Sequence, residues 1–169
     1  GALAAGVFRL VRSSNFTDLK ETTEGAMILS EFLGTYMLVL TVGLNVLSNS
    51  PAGAFSIAAS LMCMIYALGS VSGAHFNPAV TLAVLLSGRA PDMTLRRAAG
   101  YVVAQLTAGK FASMTYSFVY SGQSFPLGPA AGFGLGAVGV VEVLFTLLLS
   151  FIVLSVAVST TTNSSNKFG

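Results

Sequence analysis

The stretch 72–81, with the sequence SGAHFNPAVT, has the residue types and spacing of a helix start that presents its positive end. Asn77 is a good N-cap residue, and Pro78 suits the first helical position, where the N–H that proline lacks would be unpaired anyway. The N-terminal end of a helix carries partial positive charge because its first N–H groups have no partner within the helix. The stretch therefore predicts a positively polarised point at Asn77.

The helix that would follow is too short to cross a membrane. Residues 79–86 give about two apolar turns with a length of about 12 Å, whereas a hydrocarbon core is about 30 Å thick. A short apolar helix that starts at Asn-Pro directly after a long apolar run indicates a re-entrant half-helix. Its positive end would point into the membrane interior.

Composition places the whole chain in a membrane. Of its 169 residues, 54% are hydrophobic and only 8% are charged, and the mean hydropathy is +0.80. The net charge of +2 is small and scattered, which argues against a nucleic-acid partner. No His, Cys and carboxylate cluster has metal-ligand spacing, and no Ser/His/Asp set is apparent in the sequence. The sequence thus predicts no enzyme activity, no metal site and no cofactor.

Four apolar runs must position the half-helix, at 26–47, 54–71, 98–120 and 136–158. Runs of about 20 apolar residues are long enough to span a bilayer. The predicted fold is therefore all-α, a multi-pass membrane helical bundle of four spanning helices and one re-entrant half-helix.

We expect three parts along the chain: a polar, cytosol-facing N-terminal segment at 1–24, a transmembrane region at 25–158 and a flexible, cytosol-facing tail at 159–169. The N-terminal segment allows either a short interfacial helix or a plain lead-in, and its interrupted apolar pattern favours the lead-in. The segment 1–24, the loop at 89–97 and the tail contain seven of the eight Arg and Lys residues. That asymmetry predicts an integral membrane protein with a cytosolic N-terminus.

Single charges interrupt three of the predicted spans. Glu31 and Glu142 are each the only charge in their span, and Lys110 lies deep in the third. Glu31 lies either at the interface or inward, where an intramembrane carboxylate needs a partner. Lys110 must snorkel, pair or face a wet or protein-lined surface, and the sequence names no partner for it.

The chain also contains a weak internal repeat. The residues from Glu31 and from Glu142 match at Glu, Leu, Thr and Leu with the same offsets. A first unit of three spans would place a second copy inverted across the membrane.

Four motifs in this order resemble the aquaporin, or major intrinsic protein, family. They are Glu-x-x-Gly-Thr at 31–35, SGAHFNPAVT at 72–81, Tyr-x-x-Ala-Gln-Leu at 101–106 and Glu-x-x-x-Thr at 142–146. The resemblance covers 26–158, which corresponds to the first repeat and the first helix of the second. It implies an aquaporin-like fold in which two half-helices meet at mid-membrane.

The resemblance implies a channel that passes water or small neutral solutes passively. Asn77, Pro78 and Ala79 would then lie at the pore, where the Asn77 amide donates a hydrogen bond to the solute. The half-helix dipole behind it would oppose protons and cations.

The resemblance also assigns supporting roles. Glu31 and Glu142 would hold the Asn-Pro-Ala loops through hydrogen bonds, and Gln105 would support them. His75 would either line the cytosolic vestibule through its carbonyl or brace the loop. Ile57 stands where the family often has an aromatic filter residue, which suggests a wider constriction.

The 169 residues also depart from the family pattern. They contain no second Asn-Pro-Ala, no arginine following it, and no fifth or sixth span, so the second repeat is incomplete. One half-helix alone would leave an open wall at membrane depth. The alternative interpretation is a truncated, aquaporin-like structural or accessory subunit of a larger membrane complex, without a pore. The expected partners are water or small neutral solutes, membrane lipid, and either three further copies in a homotetramer or partner membrane subunits.

Overall fold

The computed structural model describes residues 1–12 and 22–158, and within these ranges the chain is all-helical. The helices are α1 (Ala2–Val11), α2 (Glu24–Leu47), α3 (Gly53–Ser72), α4 (Pro78–Ser87), α5 (Leu95–Val119) and α6 (Leu135–Val153), the last continued by a π-helical turn (Leu154–Val158). The predicted all-α class is confirmed. A short helix between two long ones also stands where the half-helix was predicted.

Side-chain caps fix where two of the long helices begin. The hydroxyl of Thr23 accepts a hydrogen bond from the N–H of Ala26 at 3.2 Å, so α2 begins two residues before the expected start. The hydroxyl of Thr94 does the same for the N–H of Arg97, also at 3.2 Å. Arg96 and Arg97 therefore belong to the first turn of α5 rather than to the preceding loop.

Among the described residues, three helices are long and apolar enough to cross a membrane: Glu24–Leu47, Gly53–Ser72 and Leu135–Val156. The predicted third span, α5, has 25 residues and is long enough, at about 37 Å. It is more polar than the other three because it contains Arg96, Arg97 and Lys110. Its place in the bundle therefore follows from its length and packing.

α2 lies at the centre of the bundle and packs against α3 and α5. α2 and α5 run in the same direction, since Phe32 stacks edge-on against Phe111 and the hydroxyl of Tyr36 donates to that of Thr115 at 2.9 Å. Small side chains make the close approach of the two helices feasible. The α5 residues involved are the buried alanines Ala104, Ala108 and Ala112.

The final helix, α6, is in contact with α4 but has no buried residue within the part of the chain that the structure describes. Its exposed side chains include Val141, Leu144 and Phe145. The half-helix α4 is thus packed against α5 on one side and α6 on another.

The N-terminal segment differs from the favoured expectation of a plain lead-in. Ala2–Val11 is a helix, and its last residue, Val11, is buried in the same cluster as Leu68 and Val71 of α3. The guanidinium of Arg12 donates to the carbonyl of Ala67 at 2.8 Å. These tertiary contacts stabilise a helix whose ten residues would be marginal alone. The expectations for the rest of the segment at 13–21 and for the tail at 159–169 lie outside the described residues.

Candidate functional site

The loop between α3 and α4 ends at Asn77, which caps the half-helix. Its backbone is extended, with φ of −153°, and its side-chain Oδ1 accepts the N–H of Ala79 at 2.8 Å. Pro78 is the first helical residue, and α4 then runs for ten residues, or about 15 Å. The unpaired N–H groups of its first turn give this end of the helix its positive polarity.

The cap also fixes which way the Asn77 amide points. A backbone N–H can only donate, so the atom that faces Ala79 must be the oxygen. The amide NH2 is therefore directed away from α4, and it has no hydrogen-bond partner among the described residues. Two N–H donors at the start of the half-helix are free to bind something else.

Three residues of the loop have left-handed backbone. Gly73, at the end of α3, has φ of +86°, and the non-glycine residues Ala74 and Phe76 have φ of +52° and +49°. Such a conformation costs an L-residue about 1–2 kcal/mol, so Ala74 and Phe76 must be held in it by other contacts. Hydrogen bonds to the N–H groups of residues 74–76 provide them.

Glu31 of α2 provides most of those bonds. Its Oε1 accepts from the hydroxyl of Ser72 at 2.7 Å and from the N–H of His75 at 3.0 Å. Its Oε2 accepts from the N–H of Phe76 at 2.7 Å and from the amide of Gln105 at 2.8 Å. Both oxygens thus have two donors each, and the side chain is fully buried. The sequence left two positions open for Glu31, at the membrane interface or pointing inward. The structure places it inward, among the loop and α5.

Gln105 links Glu31 to the half-helix. Its Nε2 donates both to Glu31 and, at 3.0 Å, to the hydroxyl of Thr81 in α4. The hydroxyl of Thr81 in turn donates to the carbonyl of Asn77 at 3.1 Å. α2, α5 and α4 are therefore joined by one chain of hydrogen bonds, which is buried as far as Thr81 and ends at the partly buried carbonyl of Asn77.

The side chain of His75 braces the loop. It is buried, its Nδ1 lies 3.2 Å from the hydroxyl of Thr81, and its ring stands edge-on to that of Tyr101 at 5.4 Å. The hydroxyl of Tyr101 donates to the carbonyl of Ser72 at 2.8 Å. The imidazole is thus fixed between α4 and α5, as in the bracing interpretation.

Gly34 makes room for the loop. A Cβ atom at this position would overlap the ring of Phe76, which is 2% exposed. Gly34 lies one turn beyond Glu31 on α2, so one face of α2 both binds the loop backbone and receives its aromatic side chain. This explains the spacing of the Glu-x-x-Gly motif in physical terms.

A cavity of about 230 Å³ lies beside the loop. Its polar lining comes from Ser72, His75, Asp92, Arg97 and Tyr101. Arg97 is oriented by a hydrogen bond from its guanidinium to the carbonyl of Asp92, and its Nε is buried without a partner among the described residues. The cavity is on the side of the basic loop at 89–97.

Two of the predicted site residues, Ile57 and Glu142, lie apart from this network, and so does the intramembrane charge Lys110. Ile57 is near the start of α3, 15 residues and about 22 Å along the helix axis from Ser72. Glu142 is exposed on α6 and makes no hydrogen bond within the described residues, so the bond predicted for it is not observed. Its bracing role stays a prediction. Lys110 is exposed on α5 with no ion-pair or hydrogen-bond partner for its ammonium in the described part.

Sequence reasoning assigned no role to Ser72, Thr81 or Tyr101, although all three lie within motifs that it had singled out. Ser72 and Thr81 are the two polar residues near the ends of SGAHFNPAVT, and Tyr101 opens the motif that contains Gln105. Each carries a hydroxyl in a predominantly apolar stretch, and that is the signal that could have found them.

The family model of the major intrinsic proteins, described as "Major intrinsic protein", matches residues 18–168. The chain is 36% identical over 140 residues to "Aquaporin NIP1-4" of Oryza sativa subsp. japonica, covering 78% of this chain and 50% of that relative. It is 38% identical over 136 residues to "Glycerol uptake facilitator protein-like 6" of Lactiplantibacillus plantarum, covering 76% and 62%.

The chain spans about half the length of the plant relative and less than two thirds of the bacterial one. No solved structure matches it. The family match covers nearly all of the sequence, including the Asn77 loop, Glu31 and Gln105. Together with the three apolar helices it identifies an integral membrane protein. The chain belongs to the major intrinsic protein family.

Proposed function

We propose that the complete polypeptide is a channel that passes water and other small neutral solutes passively. The observation that carries this proposal is the Asn77 amide, whose oxygen is occupied by the helix cap while its NH2 has no partner. A donor held in one orientation can replace a hydrogen bond that water loses on leaving bulk solution. The positive end of α4 beside it disfavours a cation at the same point.

The network around Glu31 supports the proposal because it holds the donor still. The links from Glu31 through Gln105 and Thr81 to Asn77 are hydrogen bonds of 2.8–3.1 Å, of which the first two are buried and the last is partly buried. A selective path needs donors at fixed positions, and the hydrogen bonds of this network restrict the motion of its members, although the Oε1 of Gln105 is buried without a partner among the described residues. We further propose that Glu142 braces a second loop in the same way.

The remaining features of the proposal rest on the resemblance and on charge. We propose a cytosol-facing segment at 1–24, a transmembrane region at 25–158 and a cytosol-facing tail at 159–169, because Arg and Lys concentrate on that side. Homotetramers are the assembly that the family implies. Ile57 in place of an aromatic residue suggests that solutes of the size of glycerol also pass.

Stopped-flow light scattering of proteoliposomes tests the proposal. Vesicles that contain the complete polypeptide should shrink faster than empty vesicles under a sucrose gradient, and a pH-sensitive dye inside them should show no added proton leak. A shrinkage rate equal to that of empty vesicles, with protein shown to be folded and inserted, would contradict the channel. That outcome would favour the accessory-subunit alternative.

A further inference from the structure

A groove of about 590 Å³ lies between α2 and α5. Apolar side chains of both helices line it, among them Ile28, Leu29 and Phe32 of α2 and Val103 and Ala104 of α5. Such a surface suits an apolar ligand, because the transfer of apolar groups away from water is favourable.

Small residues give the groove its depth. A Cβ atom on Gly25, which lines one end, would meet nothing within 4 Å. Further along, Gly100 lies beside Ile28, whose Cδ1 would be 3.4 Å from a Cβ atom on the glycine. The hydroxyl of Thr107 is directed to two carbonyls of its own helix, at 2.8 and 2.9 Å. The side chains of the lining therefore offer no free hydrogen-bond donor.

The groove opens away from the loop between α3 and α4. Leu29 lies two residues from Glu31, which binds that loop, or about 200° around α2. Val103 on α5 stands in the same relation to Tyr101, which is buried against the loop. Ile28 and Val103 are accordingly 39% and 62% exposed. The groove is thus on the outward side of the helix pair, where hydrocarbon surrounds an integral membrane protein.

The groove has the length of a single leaflet. Ala99 and Thr107, near its two ends on α5, are about 12 Å apart along the helix, and half of a hydrocarbon core is about 15 Å thick. The inner end lies at Phe32, whose ring is edge-on to that of Phe111 at 6.0 Å and stacks on that of Tyr36 at 6.3 Å. A flexible apolar chain that enters at Ala99 would run toward the middle of the membrane and stop there.

A cation stands at the outer end of the groove. Arg96 precedes Ala99 by three residues and Gly100 by four, so it lies on the same face of α5. Its side chain is exposed and has no hydrogen bond or ion pair in the part of the chain that the structure describes. The neighbouring Arg97 is turned about 100° around the helix and donates to the carbonyl of Asp92 instead.

We propose that this groove binds one acyl chain of a phospholipid, whose phosphate is bound by the guanidinium of Arg96. The apolar lining and the length fit the chain, and a guanidinium binds phosphate through two parallel N–H donors. Glu24, at the start of α2, is turned about 100° from Gly25 of the lining, so its carboxylate lies to one side of the phosphate. This inference does not depend on whether the channel conducts.

Photo-crosslinking with two lipids tests the proposal on the unaltered protein. The complete polypeptide is placed in phosphatidylcholine vesicles that contain a trace of one probe with a diazirine in its acyl chain. One probe is phosphatidylcholine, and the other is a galactosyl diacylglycerol with the same chains but no phosphate. After irradiation, adducts on the tryptic peptide 98–110, which contains the α5 side of the groove, are compared with adducts on Met114. That residue is exposed two turns beyond Thr107 on the same face of α5.

We expect the ratio of adducts on peptide 98–110 to adducts on Met114 to be severalfold higher for the phospholipid probe. Equal ratios for the two probes would overturn the proposal, since they would mean that lipid covers this face without recognition of its phosphate. Labelled Met114 without adducts on the peptide would also overturn it, because another segment of the polypeptide or a second copy would then fill the groove.

Three variants assign the two parts of the site. Arg96→Gln should lower the ratio for the phospholipid probe to that of the galactolipid, whereas the matched control Arg89→Gln, an exposed arginine in the loop after α4, should leave it unchanged. Ala99→Phe, at an exposed position of the lining, should remove the adducts from the groove while Met114 remains labelled. A ratio in Arg96→Gln equal to that of the wild type would contradict the role of the guanidinium.

Discussion

The N–H of Phe76 lies 2.7 Å from the Oε2 atom of Glu31, although the two residues are 45 positions apart in the chain. The same carboxylate accepts from the N–H of His75 through its other oxygen. Two successive N–H groups can point at one side chain only if the backbone turns sharply, and Phe76 accordingly has positive φ. The carboxylate therefore stabilises a loop conformation that Ala74 and Phe76 would otherwise avoid.

Replacement of Glu31 should release the loop. Glu31→Ala removes both acceptors, leaves two N–H groups and one hydroxyl without an acceptor, and takes one of its two acceptors from the Gln105 amide, at about 1–3 kcal/mol for each group left unpaired and buried. We expect a clear fall in the thermal unfolding midpoint in detergent, together with faster hydrogen exchange at residues 74–76.

The control for this variant is Glu24→Ala, in the exposed first turn of the same helix. Its carboxylate contributes to the helix start but has no bond to the loop in the described residues, so exchange at 74–76 should remain slow. An unchanged unfolding midpoint and slow exchange in Glu31→Ala would show that the carboxylate does not hold the loop.

Gly34→Ala should disturb the loop by crowding. The added methyl group overlaps the ring of Phe76, and overpacking of a buried site typically costs about 1–3 kcal/mol. Gly43→Ala is a close match, because its methyl group meets Tyr116 on α5, far from the loop. Both variants should be less stable, but only Gly34→Ala should alter solute flux.

Gly109→Ala completes this comparison. Its Cβ would meet nothing within 4 Å, and alanine is favoured over glycine in a helix by about 1 kcal/mol. We expect an unfolding midpoint at or above that of the wild type. Equal flux in the Gly34→Ala and Gly43→Ala channels would contradict a specific role for Gly34 beneath Phe76.

Thr81 should matter through its hydroxyl rather than its shape. Thr81→Val keeps the volume but removes the acceptor for Gln105 and the contact with His75, at about 1–3 kcal/mol for the buried groups left unpaired. Thr81→Ser retains the hydroxyl and serves as the control. A Thr81→Val protein that is as stable as Thr81→Ser would mean that Gln105 and His75 find other partners.

The long helices and the short helix α4 were predictable because the sequence signals that mark them are local. Asn77 and Pro78 together mark the start of α4, and the structure begins that helix at Pro78. The first and third spans were placed two and three residues too late, since the caps Thr23 and Thr94 lie among polar residues and not at the edge of an apolar run. The sequence allowed the helix α1 but favoured a plain lead-in. Its local pattern is weak, because the helix is stabilised by tertiary contacts of Val11 and Arg12.

The network at the site was only partly predictable. A lone glutamate in an apolar span is expected to have a buried partner in any fold. Glu31 could be singled out for this reason. The partners themselves depend on which helices meet, and no local pattern places Thr81 of α4 beside Gln105 of α5. For Glu142 the same local signal exists, but the described residues contain no group that donates to it.

Asn77→Asp separates the cap from the donor. Aspartate keeps the oxygen that accepts the N–H of Ala79, so α4 should still begin at residue 78 and the protein should fold. The two N–H donors are lost, and a carboxylate now stands at the positive end of the half-helix, where it attracts cations. We therefore expect slower water flux and a measurable cation or proton leak in proteoliposomes.

Asn77→Ser, which caps without adding charge, should slow water flux without the leak. Water flux at the wild-type rate in both variants would show that the Asn77 amide does not line the solute path, while a leak in the serine variant would trace cation exclusion to the amide rather than to the absence of charge.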